Sequence, residues 1–219
     1  GGGESPTLQK IVAPDCIDLG GSSVGIIKNE SQLLTDDRLQ RGDRIILLRS
    51  TGINANGVSL ARAVADRLPQ GYATKLSDGR YYGEAVLNKT NIYARLIQTL
   101  FQKNVELHYI SSITGHGLRK IMRGRGNFTY VIEHMCEPQE IFSVIQKTAE
   151  LSDYQMYETY NMGMDYALFL PETDVSGALA VIFDCGFEGI DAGYVESGEK
   201  KLILREKNLI YEGNTLQVR

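Results

Sequence analysis

The chain has 219 residues, 42% hydrophobic and 23% charged, a globular composition that excludes a disordered tail or a fibrous repeat. Its 23 basic and 27 acidic side chains leave a formal net charge of -4, which gives no general attraction to nucleic acid or an anionic membrane. The longest apolar stretches, such as Ala178 to Phe183, fall far short of the roughly 20 residues a membrane-spanning helix needs.

In chain order, residues 16–28 read as an extended segment with a small-residue middle. Arg44 to Arg49 is a short apolar run between Gly42-Asp43 and Ser50-Thr51-Gly52, the pattern of a buried strand. Gly57 to Leu68 carries Val58, Ala61, Val64, Ala65 and Leu68 at helical spacing and stops at Pro69-Gln70-Gly71. Residues 71–90 are polar and rich in Gly and Tyr, which predicts a surface excursion. Thr90-Asn91 then caps a predicted helix with Ile92, Leu96, Leu100 and Phe101.

Leu107 to Ile110 reads as a strand, Leu118 to Met122 as a short helix, and Phe128 to Ile132 as a strand. Pro138, a favourable first-turn residue, opens a helix through Ile141, Val144 and Ile145. Met164 to Leu170 predicts a strand, Val175 to Phe183 a helix and Ile190 to Val195 a strand. Leu202 to Leu204 and Leu209 to Tyr211 predict a terminal hairpin. Strands and helices alternate without a strict βαβ rhythm. One α+β domain over residues 1–219 is therefore expected, a three-layer α/β/α sandwich around a mixed sheet.

Chemistry-bearing motifs are sparse. Cys16, Cys136 and Cys185 are widely spaced and show no CxxC or Cys/His cluster, and three histidines add little, so no metal site is expected. Reduced thiols in a cytoplasmic protein are the expectation, and no charged-then-apolar leader marks the chain for secretion. Two strand-to-helix junctions are loaded with glycine and small polar residues: Ser50 to Gly57, and Thr114-Gly115-His116-Gly117. Such junctions can offer bare backbone N–H groups to a phosphate or carboxylate, and they can equally be tight-turn chemistry alone. Neither matches the Walker A loop or the GxGxxG fingerprint. Arg119, Lys120, Arg123 and Arg125 read as a solvated helix end. Tyr157 to Met164, dense in hydroxyl and amide groups, reads as a buried polar turn.

Taken in order, these segments resemble the C-terminal domain of the AIR synthetase (phosphoribosylformylglycinamidine cyclo-ligase) family. Gly1-Gly2-Gly3-Glu4-Ser5 is similar to the glycine-rich segment that joins the family's two domains. Gly42-Asp43 with Ser50 to Leu60 resembles its "GD…SSGxHSNGxSL" element. Ile113 to Leu118 resembles "HITGGGL", and Met156 to Gly163 resembles "MYRTFNMG". Residues 72–90, with Tyr81, Tyr82 and Glu84, depart from the family's wording. So do Asn54, which stands at the family's His, and His116, which stands at a Gly.

The resemblance implies an ATP-dependent ring closure to aminoimidazole ribonucleotide in purine biosynthesis. ATP and Mg2+ would be held by an N-terminal domain that this chain lacks, in a full-length homodimer. Both the phosphoribosylated small-molecule substrate and that domain are implied partners. This chain alone is expected to bind neither ATP nor Mg2+, and its opening without Met fits a fragment. His116 and Asn54 are the candidate catalytic positions. Gly2, Gly3, Asn56, Gly57, Gly115, Gly117, Thr159 and Asn161 are the candidate substrate- or phosphate-binding residues. Because Asn54 cannot exchange a proton near neutral pH, two alternatives stand beside the ligase: a lapsed binding or assembly module, or phosphotransfer to a different small molecule.

Overall fold

The structure is a computed structural model, and it describes residues 22, 24–27 and 29–216. Two compact units divide the chain, Gly1–Leu33 and Leu34–Arg219. In the first, the described backbone makes a 3-10 turn at Glu30–Gln32. Most of the predicted extended segment, together with Cys16, Gly2 and Gly3, lies outside the described residues.

The second unit is built on seven strands: β1 (Arg44–Arg49), β2 (Tyr109–Ser112), β3 (Phe128–Ile132), β4 (Met164–Leu170), β5 (Gly189–Ser197), β6 (Lys201–Leu204) and β7 (Leu209–Glu212). They form one sheet in the order β2-β4-β1-β5-β3-β6-β7. β3 and β6 pair in parallel and every other neighbouring pair is antiparallel, so the sheet is mixed as expected. β1 is buried on both faces and alternates between two cores. Ile45 and Leu47 enter the larger one, and Ile46 and Leu48 enter the smaller.

Helices cover both faces. On the smaller core, α3 (Ala94–Gln102) contributes Leu96 and Leu100, and α6 (Val175–Asp184) contributes Ala178, Val181 and Ile182. On the larger core lie α1 (Val58–Ala65), α2 (Tyr82–Val86), α4 (Glu140–Ala149) and α5 (Asp153–Thr159). This is the expected three-layer arrangement. Among the described residues, no helix is long and apolar enough to cross a membrane.

Several local expectations are corrected. The 71–90 stretch is not only a surface excursion: Tyr82, Ala85 and Val86 of α2 are buried, and the Tyr82 hydroxyl donates to the Ala61 carbonyl at 2.9 Å. Asn91 does not cap α3, because its amide donates to the Arg49 carbonyl at 3.2 Å and to Tyr93 Oη at 3.1 Å, and the helix starts at Ala94. The strand predicted at Leu107 begins two residues later, since the His108 N–H bonds the Phe169 carbonyl at the sheet margin. The start of the predicted polar turn, Tyr157 to Thr159, is the end of helix α5, which is started by a Ser152/Gln155 capping box. Arg119 is buried, not a solvated helix end. Its guanidinium meets the Glu158 carboxylate at 2.9 Å and donates to the carbonyls of Thr215 and Glu158.

Candidate functional site

Antiparallel pairing decides which loops meet. Arg49, the last residue of β1, is level with Met164, the first of β4, while Ser112, the last of β2, is level with Tyr166. The loop after β1 (50–57), the loop after β2 (113–117) and the segment leading into β4 (160–163) therefore share one end of the sheet. Two of the three were singled out in the sequence as glycine-rich junctions.

The 50–57 loop is held by buried polar contacts. Asn161, fully buried, donates to the Gly52 carbonyl at 2.9 Å and accepts from Ser50 Oγ at 3.3 Å and from the Gly163 N–H at 3.0 Å. Gln139 donates to the Ser50 carbonyl at 2.5 Å, and Asn88 donates to the Thr51 carbonyl at 2.6 Å. Gly57 takes φ +60 before α1, and a Cβ there would stand 2.4 Å from the Tyr160 ring. Gly117, at φ +56, would place a Cβ 2.2 Å from the Tyr157 carbonyl oxygen. Both glycines are thus required by packing against the 157–160 segment, whatever a ligand requires.

Beside this scaffold, on the α3 side of the sheet, lies a cavity of about 590 Å³. Asn54, Asn56, Asn91, Tyr93, Thr114 and Asp165 supply its polar wall, and Ile92, Ile97, Ile110 and Ile113 line its apolar side. The cavity brings together Asn54 and Asn56 among the candidate residues, with Thr114 of the second junction. Gly57, Gly115, His116, Gly117, Thr159 and Asn161 do not line it. His116 takes a left-handed φ of +81 and is exposed, its Nδ1 donating to the Gly115 carbonyl at 2.8 Å. Thr159 is half-buried at the end of α5.

Asp165 is the functional-looking residue that sequence reasoning missed. The β1–β4 register skips it: Leu48 faces Tyr166 and Arg49 faces Met164, leaving Asp165 as the extra residue of a bulge. Bulges re-aim a side chain out of the regular alternation. Here the carboxylate points to the cavity wall and is only 4% exposed. Tyr93 donates its hydroxyl to Oδ1 at 2.5 Å, and Asn54 donates its amide to Oδ2 at 2.9 Å. Burial pushes the Asp165 carboxyl above the usual carboxylate range, opposed by the two donors. Burial and the neighbouring carboxylate likewise push the Tyr93 phenol up. The available signal was a lone acid in the apolar run Met164 to Leu170, because a charge inside a buried strand needs a reason.

Asn54 itself stands at φ +54, a left-handed conformation that Asn tolerates better than most residues. Its Oδ1, and the Nδ2 of Asn56, are buried without a hydrogen-bond partner. At the cavity edge the Lys120 ammonium donates to Thr114 Oγ1 at 2.9 Å, with its pKa lowered by burial and by Arg123. Among the described residues no group of three or more His, Cys, Asp or Glu could hold a metal ion.

This sheet order and loop cluster define the class: an AIR synthetase-like α+β domain. A hydrogenase maturation protein HypE, solved in complex with ATP, shares the fold at TM-score 0.51 and 17% identity, covering 78% of this chain and 49% of that one. PurL of T. maritima, complexed with FGAR, does so at TM-score 0.50 and 8% identity, covering 84% of this chain and 29% of that one. These likenesses show the fold alone. In sequence, the chain is 34% identical over 182 residues to a phosphoribosylformylglycinamidine cyclo-ligase of Methanocaldococcus jannaschii, covering 82% of this chain and 51% of that protein. It is 33% identical over 213 residues to the same-named protein of Methanosarcina acetivorans, covering 96% and 60%. No family model matches the chain. The chain belongs to the phosphoribosylformylglycinamidine cyclo-ligase (AIR synthetase) family and spans about half to three fifths of the length of the curated relatives it matches.

Proposed function

We propose that this chain is the substrate-side domain of an ATP-dependent cyclo-ligase of the AIR synthetase kind, a single domain whose ATP- and Mg2+-binding partner domain lies outside it, in a protein that is a homodimer when full-length. The observation that carries this is the cavity itself. It is walled by the loops after β1 and β2, two of the segments whose wording resembles the family's motifs, and it is large enough for the reacting end of a small phosphoribosylated substrate. The reaction implied is activation of a formamide oxygen by the γ-phosphoryl group, attack by the neighbouring amidine nitrogen and loss of phosphate. Such chemistry rests on holding the two groups together and stabilising the developing charge. Asn54 and Asn56 are the amides available for holding substrate, with Asp165 and Tyr93 fixing Asn54.

A lapsed binding module is the second reading, favoured by one observation: the residue at the family's His position is an Asn whose amide is committed to Asp165. The experiment is an ATP-turnover assay on a protein carrying an ATP-binding domain ahead of these residues, with formylglycinamidine ribonucleotide as substrate. Substrate-dependent phosphate release and aminoimidazole formation are expected. Binding of the ribonucleotide without turnover would replace the ligase reading by the binding module, and turnover confined to another acceptor would replace it by phosphotransfer.

A further inference from the structure

The cavity is not built like a phosphate cradle. Among the described residues lining it there is no Lys, Arg or His, Lys120 standing outside the lining with its ammonium engaged on Thr114 Oγ1 at the edge, and its only carboxyl belongs to Asp165. That carboxylate is 4% exposed, and its two side-chain contacts are neutral donors, the Tyr93 hydroxyl and the Asn54 amide. No cation among the described residues lies in salt-bridge distance of it. The two side-chain donors and the Asp165 backbone N–H still leave acceptor capacity, since a carboxylate accepts at about four lone-pair sites. A buried carboxylate without a charged partner is costly, and a ligand cation relieves that cost. A phosphate beside it, against four isoleucines, would add a second uncompensated negative charge. Asn56, 7% exposed with Nδ2 unpartnered, and Asn54, with Oδ1 unpartnered, leave hydrogen-bonding capacity on the same wall for an acceptor and a donor.

We propose that this cavity is a subsite for a nitrogen group of the ligand, a planar amidinium-type cation with several N–H donors, seated against Asp165, and that it excludes phosphate. The inference rests on reading the cavity as the substrate site, yet it requires no ATP turnover. A chain that never turns over ATP can satisfy it, and an active ligase whose cavity takes phosphate would refute it.

The test uses the 219-residue chain with three probes: benzamidinium, benzamide as its uncharged counterpart, and inorganic phosphate. Calorimetry reads affinity, and backbone amide resonances of Asn54, Ile113 and Asp165 report where each probe sits. Benzamidinium is expected to bind at least tenfold tighter than benzamide, the range that one hydrogen bond to a charged group supplies. Asp165→Asn is expected to remove that difference while leaving benzamide affinity within threefold, and phosphate is expected to leave the three resonances unmoved. The wild-type comparison needs no variant, so an Asp165→Asn chain that fails to fold leaves the test intact. Equal affinity for the two aromatic probes, no benzamidinium binding at millimolar concentration, or phosphate shifting those resonances would each overturn the proposal.

Discussion

Replacing Gly117 by Ala separates a glycine kept for backbone packing from one kept for a ligand. Two costs add at this position. The first is conformational: φ is +56, and a residue with a Cβ loses about 1–2 kcal/mol in the left-handed region. The second is steric. The new Cβ would stand 2.2 Å from the Tyr157 carbonyl oxygen and 2.8 Å from that of Tyr160, whereas a relaxed carbon–oxygen contact is about 3.3–3.6 Å. The 3-10 segment Gly117–Arg123 and α5 must then separate by about 1 Å, although Arg119 and its partners tie them together. Overpacking of this kind costs about 1–3 kcal/mol, so the sum is about 2–5 kcal/mol. With a slope of about 1–3 kcal/mol per molar for small proteins, the urea midpoint should fall by about 1 M or more. Two controls divide the sum. Gly79→Ala, at φ +85 with nothing within 4 Å, should show only the conformational cost, and Gly115→Ala, with nothing within 4 Å and no left-handed φ, should stay within about 0.5 kcal/mol of wild type. If Gly117→Ala unfolds at the same urea concentration as Gly79→Ala, the packing argument fails.

The remaining expectations concern the scaffold and the exposed histidine. Asn161→Ala strips the Gly52 carbonyl, Ser50 Oγ and the Gly163 N–H of a buried partner, and should cost about 2–4 kcal/mol in chemical denaturation; a loss below 1 kcal/mol would mean the 50–57 loop holds itself. His116→Gly relieves a left-handed φ and removes a ring that does not line the cavity, so it should leave thermal stability unchanged or raise it by up to about 1 kcal/mol, and leave benzamidinium affinity unchanged. A tenfold loss of that affinity would restore the imidazole to the site. Asp36 is held at about 2 by the Arg125 side chain and backbone N–H, below its ordinary 3.8. Because the folded value is the lower one, its stabilisation is complete above pH about 4 and is lost as pH falls through about 2. Asp36→Asn should therefore lower the thermal midpoint at pH 7, modestly because the Arg125 side chain is 78% exposed, and should match wild type near pH 2. A difference independent of pH would refute the ion pair as its cause.

Most of the secondary structure was legible in local pattern. β1, β3 and β4 were read with the bounds they have, because a run such as Ile45 to Leu48, buried on both faces, is apolar throughout. The β6–β7 hairpin and α6 followed for the same reason, that their signals lie within a few residues of one another. α2 was missed because its five residues are too short to show a helical period, and burial of Tyr82 depends on a core supplied by distant segments. The family was readable too, since its motifs are short and local: Ser50 to Leu60, Ile113 to Leu118 and Met156 to Gly163 stand in the chain as words.

What the words do not say is which atoms meet. Asn54 and Asn56 sit on the cavity wall, and so do Ile113 and Thr114 of the other glycine-rich loop, whereas His116, two residues further on, takes a left-handed φ, is exposed and does not line it. Asn161 reads as a ligand residue and serves as a clamp, since its partners Ser50 and Gly52 lie about 110 positions away in the chain. Asp165 reads as one polar letter in a strand and becomes the only carboxyl among the described residues lining the cavity, because the register shift between Leu48 and Arg49 leaves it out of the β1–β4 ladder. Register and burial are properties of paired strands, set by contacts far apart in sequence, and only the assembled sheet decides them.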